Sequence, residues 1–85
     1  MDPYRVLVCI EILQIQQPSR QERDLILRFL ESLESRPSRK GDYEEMDAVG
    51  RPVQIKVIGK YALTYWADHA VKEVKVTRIE LADWT

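Results

Sequence analysis

The chain has 85 residues, of which 45% are apolar and 32% are charged, and its formal net charge at pH 7 is −1. This composition is typical of a single folded domain with a small core, and it excludes an intrinsically disordered chain. The balanced charge also excludes a nucleic-acid binder that acts through its overall electrostatic field, although it does not exclude a local basic patch.

The first predicted element is a strand. Residues Tyr4–Leu13 form an apolar run that is rich in β-branched side chains and is interrupted by Arg5 and Glu11. Such a run indicates a mostly buried strand. Cys9 lies within it, and we expect its side chain to be a small buried apolar group. As the only cysteine of the chain, Cys9 excludes an internal disulfide and a zinc site built from several thiolates.

The second predicted element is an amphipathic helix at about residues 20–35. Ser19 followed by Glu22 is a capping-box pattern, which marks the start of a helix. Pro37 ends the helix, because the residue before a proline is pushed out of the α region. Apolar residues recur at spacings of three and four and form one stripe, which consists of Ile26, Phe29, Leu30 and Leu33.

Closely spaced strands follow the helix. The acidic stretch at 42–48 shows no period and receives no assignment. From Pro52 onward the period is two, which indicates strands with one buried and one wet face. The short connections Gly59-Lys60 and Asp68-His69 predict hairpins. We place the three strands at about 53–57, 61–66 and 71–81.

The last of these strands changes its parity. Val74 and Val76 share one face, whereas Ile79 and Leu81 have the opposite parity. A β-bulge near Thr77-Arg78 would keep both pairs on the buried side. The predicted fold class is therefore α+β, with one strand, one long helix and a three-stranded antiparallel meander.

The sequence contains no targeting or metal-binding signal. No segment approaches the roughly 20 apolar residues that cross a bilayer, and Met1-Asp2-Pro3 begins no apolar leader. We therefore expect a cytoplasmic protein with no membrane contact and no metal or cofactor. His69 is the single histidine. It is either a surface turn residue or, through its intrinsic pKa, an acid/base group.

Cations on the predicted sheet allow two interpretations. In the first, they hold a nucleic-acid backbone while aromatic side chains such as Tyr61, Tyr65 and Trp66 stack on bases. In the second, the sheet face is solvated and its charges pair with one another, for example Lys72 or Lys75 with Glu73 and Glu80. The cations are Arg51, Lys56, Lys60, Lys72, Lys75 and Arg78.

The order of elements resembles the RelE/ParE superfamily of bacterial type II toxins. The central hairpin Gly59-Lys60-Tyr61-Ala62-Leu63-Thr64-Tyr65 is similar to a run of that family, and Gly41-Asp42 is similar to the Gly-Asp stretch that precedes it. The resemblance covers nearly the whole chain and implies one RelE/ParE-like domain over residues 1–85. It also implies a cognate antitoxin as partner, bound in the groove between helix and sheet.

RelE-like members are metal-independent endoribonucleases that cleave messenger RNA on the ribosome. For this chain the resemblance implies Lys56 and Arg78 as catalytic cations and Arg51 and Lys60 as RNA-binding cations, since guanidinium and ammonium groups stabilise charge that develops on a phosphate. The chain has Ala62 where the family carries an arginine. Two alternatives are therefore a catalytically silent module that docks an antitoxin or forms a homodimer, and a ParE-like gyrase inhibitor.

Overall fold

The structure, a computed structural model, describes residues 3–8 and 19–82. Within these residues, one helix packs on one face of a five-stranded sheet. The elements are β1 (Arg5–Val8), α1 (Arg20–Ser35), β2 (Tyr43–Met46), β3 (Pro52–Ile58), β4 (Tyr61–Asp68) and β5 (Glu73–Leu81). The strand order is β1-β5-β4-β3-β2, and β1 runs parallel to β5 while the other neighbours are antiparallel.

The predicted α+β class is right, but the prediction of a three-stranded meander is wrong. β3, β4 and β5 do form consecutive antiparallel hairpins, and the sheet extends beyond them on both sides. β1 joins through parallel pairing with β5, and β2 joins through antiparallel pairing with β3. β2 lies in the stretch that the sequence left unassigned. All its side chains are exposed, so it lacks the alternation by which a strand is recognised.

The helix begins and ends as predicted. The Ser19 hydroxyl accepts a hydrogen bond from the Glu22 backbone N–H at 3.2 Å, and the Glu22 carboxylate accepts one from the Ser19 N–H at 3.1 Å. The predicted capping box is therefore confirmed. The helix ends at Ser35, two residues before Pro37, and the Arg36 N–H closes the last turn on the Ser32 carbonyl at 3.0 Å.

The core lies between α1 and the facing side of the sheet. The apolar stripe of the helix meets side chains of β3, β4 and β5, and Leu33, Leu63 and Val74 have no exposed surface. The Phe29 and Tyr65 rings meet edge to face at 5.4 Å between centroids. The Tyr65 hydroxyl donates to the Arg39 carbonyl at 2.9 Å, and burial raises the pKa of Tyr65 to about 12.

The predicted β-bulge is confirmed. Tyr65 pairs with Val76 and Thr64 with Arg78, so Thr77 is the extra residue of β5. Ile79 packs against the core as expected, but Leu81 is 41% exposed. The bulge changes the parity of β5, and this places Arg78 opposite Thr64 on the side of the sheet that faces away from α1.

Part of the predicted first strand falls on residues that the structure does not describe. The predicted continuation of the first strand over residues 9–13, which includes Cys9, lies outside the described residues. In the described part, α1 is too short and too polar to cross a bilayer.

Candidate functional site

The sheet has a second side, which faces away from α1 and which we call the open face. Strand alternation places Val53 and Ile55 of β3 and Ala62 of β4 on this face. All three side chains are buried, although none belongs to the core cluster against α1. They form the floor of a pocket of about 650 Å³. Its lining comprises Tyr43, Glu45, Met46, Asp47, Ala48, Val49, Arg51, Val53, Ile55, Ala62, Thr64, Thr77, Arg78, Glu80, Leu81 and Ala82.

The turn between β2 and β3 forms one wall of the pocket. The Asp47 carboxylate accepts hydrogen bonds from the backbone N–H groups of Val49 at 3.0 Å and Arg51 at 2.9 Å. Gly50 adopts a φ of +81°, a left-handed conformation that favours glycine. The Arg51 backbone hydrogen bond is the main cause that holds the pKa of Asp47 below its ordinary value. The wall is therefore ordered before any ligand arrives.

A cation–aromatic stack continues from this wall across the open face. The Arg51 guanidinium lies 3.8 Å from the centroid of the Trp66 ring, and the Lys75 ammonium lies 5.0 Å from the same centroid. Lys75 also contacts the Asp68 carboxylate at 3.1 Å. The Trp66 ring is thus already in contact with cations and does not present a bare stacking surface.

Four cations of the open face lie beside carboxylates. The ion pairs are Arg5 with Glu73 at 2.7 Å, Arg51 with Asp47 at 2.8 Å, Lys75 with Asp68 at 3.1 Å and Arg78 with Glu80 at 3.6 Å. This is the charge pairing of the second interpretation, with Asp68 rather than Glu73 as the partner of Lys75. A phosphate that bound here would have to compete with these carboxylates for the cations.

The structure does not bring the two predicted catalytic cations together. Lys56 points to the α1 side, where its ammonium lies 5.9 Å from the Phe29 ring centroid and 3.4 Å from the Asp42 carboxylate. Arg78 pairs with Thr64 and lines the pocket on the open face. Because the sheet lies between them, Lys56 and Arg78 cannot hold the same phosphate.

The two predicted RNA-binding cations are also separated. Arg51 lines the pocket together with Arg78. Lys60 lies in the turn between β3 and β4, where its backbone N–H donates to the Glu22 carboxylate at the start of α1 at 3.3 Å. Of the four predicted site residues, the pocket therefore contains Arg51 and Arg78.

The three aromatic residues that were predicted to stack on bases also lie on different sides of the sheet. Tyr61 and Tyr65 are buried in the core, at 3% and 1% exposure, so they cannot stack on bases. Trp66 lies on the open face and contacts Arg51. His69 is exposed in the turn between β4 and β5, where its ring nitrogen Nδ1 lies 2.7 Å from the Tyr4 hydroxyl.

The apolar floor of the pocket was not predicted from the sequence. The alternation in β3 showed that Val53 and Ile55 share a face, and the opposite face, with Lys56, was expected to be the wet one. In the structure Lys56 lies on the α1 side and the two apolar residues lie on the open face. A sequence signal for this arrangement is that β4 is apolar at both parities, with Ala62 between Tyr61 and Leu63.

Neither a metal-binding cluster in the described residues nor a known relative assigns a role to this pocket. Across residues 3–8 and 19–82, no group of three or more His, Cys, Asp or Glu side chains is arranged to hold a metal ion. Comparison of the chain with protein-family models, with curated proteins and with solved structures finds no match.

Proposed function

We propose that this chain is a protein-binding module whose pocket on the open face accepts a segment of a partner protein. In the toxin–antitoxin setting that the resemblance implies, the partner is a cognate antitoxin. The observation that carries the proposal is the position of Val53 and Ile55. These residues form an apolar floor on the side of the sheet that α1 does not cover.

The size and composition of the pocket support this function. A volume of about 650 Å³ is enough for several side chains of a partner segment. Each fully buried apolar side chain contributes about 1.5–3 kcal/mol to binding before the ordering costs are subtracted. The rim adds exposed apolar surface, because Met46 is 65% and Val49 is 78% exposed.

The pairing of the cations favours a protein partner over a nucleic acid. Affinity for a nucleic-acid backbone comes from cations that neutralise phosphates. On the open face, Arg51 is held by Asp47, and Arg78 lies beside Glu80. The remaining rim carboxylate, Glu45, would repel a phosphate and would favour a cation of a protein segment.

The position of the partner differs from the one expected from the sequence. The space between α1 and the sheet is filled by the core, in which Phe29, Leu30 and Leu33 are buried. A partner segment inserted there would have to displace these side chains. The proposal therefore places the partner on the opposite side of the sheet.

Ribonuclease activity and gyrase inhibition stay predictions. If the chain cleaves messenger RNA on the ribosome, induced expression in bacteria arrests growth, and Arg51→Ala with Arg78→Ala relieves the arrest. Normal growth on induction of the wild-type chain would remove support for both toxic activities while leaving the binding proposal unaffected.

The binding proposal is tested with the protein encoded by the adjoining reading frame, purified separately and titrated into the chain. Val49→Glu places a charge on the exposed rim and should weaken binding at least tenfold, because the partner would have to cover a carboxylate. Val71→Glu is the matched control. Val71 is 53% exposed and lies in the turn between β4 and β5, outside the pocket lining.

Light scattering of the chain alone tests whether the partner is a second copy. A dimer that Val49→Glu dissociates and Val71→Glu leaves intact would identify the open face as a homodimer interface. If neither the adjoining product nor a second copy binds, or if both variants behave alike, the proposal is wrong.

A further inference from the structure

β2 is an edge strand of the sheet in the described part of the chain, so its outer side has no neighbouring strand there. It pairs with β3 from Tyr43 opposite Ile55 to Met46 opposite Pro52. Its four side chains are all exposed. A strand in this position offers backbone hydrogen-bonding groups along its outer side.

Alternate residues of β2 present those backbone groups. The Asp47 N–H donates to the Arg51 carbonyl at 2.9 Å, which fixes the phase of the antiparallel ladder. In such a ladder every second residue bonds to the neighbouring strand, and the residues between them point their N–H and C=O groups outward. In β2 the outward groups belong to Glu44 and Met46.

Both ends of β2 are fixed to β3, so the strand is ordered in advance. At its start, the Asp42 N–H donates to the Ile55 carbonyl at 2.7 Å, and the Asp42 carboxylate accepts from the Val57 N–H at 2.7 Å. At its end, the Asp47 carboxylate holds the turn through the Arg51 N–H at 2.9 Å. An ordered strand lowers the entropy cost of pairing with another chain.

The charge of β2 selects the chain that can pair with it. Asp42 contacts Lys56, and Asp47 contacts Arg51, so these two carboxylates are neutralised from β3. Glu44 accepts a hydrogen bond from the neutral Gln54 side chain. Neither Glu44 nor Glu45 forms an ion pair with a cation of residues 3–8 or 19–82. Because they are adjacent in a strand, they place negative charge on both faces of the edge.

We propose that β2 binds an extended segment of a partner protein as an additional strand, and that this segment carries Lys or Arg at two consecutive positions opposite Glu44 and Glu45. The backbone groups of Glu44 and Met46 supply the hydrogen bonds, as in other cases of strand addition. The two carboxylates supply the selectivity through cross-strand charge pairs. Glu45 and Met46 also line the pocket of the open face, but strand addition at the outer side of β2 does not require the pocket to be filled.

The same charges reject a second copy of this chain. Pairing of β2 with the β2 of another molecule would place Glu44 and Glu45 beside the same carboxylates of the copy. Like charges directly opposite each other in a sheet are destabilising. The edge therefore disfavours self-association while it accepts a basic segment, and one pair of residues accounts for both effects.

The probe for this inference is the blocked peptide Thr-Val-Lys-Lys-Val-Thr, with Thr-Val-Glu-Glu-Val-Thr as its matched counterpart. Binding is followed by amide NMR of the full chain at low salt, together with hydrogen exchange. We expect the lysine peptide to bind at least tenfold more tightly than the glutamate peptide. We also expect it to slow exchange of the Glu44 and Met46 amides.

Charge reversal provides the decisive comparison. Glu44→Lys with Glu45→Lys should invert the preference, so that the glutamate peptide binds more tightly. Glu31→Lys with Glu34→Lys makes the same change of net charge on the exposed surface of α1 and should leave the preference unchanged. The inference is overturned if the lysine peptide does not bind, if the Glu44 and Met46 amides exchange as before, or if both double variants shift the preference alike.

Discussion

Gly41 is the position at which one added methyl group tests the close approach of the chain before β2 to β3. A Cβ atom at Gly41 would lie 2.3 Å from the carbonyl oxygen and 2.6 Å from the carbonyl carbon of Ile55, whereas ordinary contact begins at 3.4 Å. The atoms in the way belong to the backbone of β3, so no side-chain rotation relieves the overlap. Gly41→Ala must therefore push the start of β2 away from β3.

The size of the effect follows from the hydrogen bonds at this point. The Gly41 N–H donates to the Gln54 side chain at 3.0 Å, the Asp42 N–H to the Ile55 carbonyl at 2.7 Å, and the Val57 N–H to the Asp42 carboxylate at 2.7 Å. Each such bond contributes about 1 kcal/mol net. We expect Gly41→Ala to lower the free energy of unfolding by about 2–3 kcal/mol.

Urea unfolding of the variant and the wild type, followed by circular dichroism, measures this loss. Gly50→Asn is the control. Unlike Gly41, Gly50 has a positive φ, at +81°, but nothing lies within 4 Å of a Cβ placed there, and asparagine tolerates this conformation. The control should change the free energy of unfolding by less than about 1 kcal/mol. A Gly41→Ala variant as stable as the control would refute the described approach of β2 to β3.

Three further predictions concern the core, the alkaline range and the acid range. Leu33→Ala, at a fully buried position, should lower the free energy of unfolding by about 2–5 kcal/mol in the same urea assay. Burial raises the pKa of Tyr65 from 10.0 to about 12, so the stability that it contributes is complete below pH 10 and is lost as the pH rises toward 12. This loss is on the order of 2–3 kcal/mol, and unfolding measured across that range should show it in the wild type but not in Tyr65→Phe. The pKa of Asp47 is lowered, so its contribution is present above the ordinary value of 3.8 and is lost as the pH falls below it. Asp47 pairs with Arg51, and Arg51 covers the Trp66 ring, so Trp66 fluorescence should change when Asp47 is protonated. Asp47→Asn should show the changed fluorescence already at neutral pH.

Local signals in the sequence were sufficient for the helix and the bulge. The capping box of Ser19 and Glu22 and the stop before Pro37 depend on residues a few positions apart, and the structure reproduces both. The bulge at Thr77 was visible because apolar residues on either side of it have opposite parity. In each case, the information needed lies within one element.

The sides of the sheet could not be predicted in the same way. Alternation shows that Val53 and Ile55 share a face, but it does not show which face α1 covers, because that depends on contacts between distant elements. For the same reason Lys56 and Arg78 were grouped, although the sheet separates them. The exposed strand β2 gave no apolar pattern, so the edge of the sheet was missed.

The most direct test of the central claim is amide chemical-shift mapping of the chain during titration with the product of the adjoining reading frame, and separately during a concentration series of the chain alone. The proposal predicts that the largest shifts in one of these series fall on the open face, at Val53, Ile55 and Thr64. Shifts confined to α1, or none in either series, would contradict the claim that the open face binds a protein.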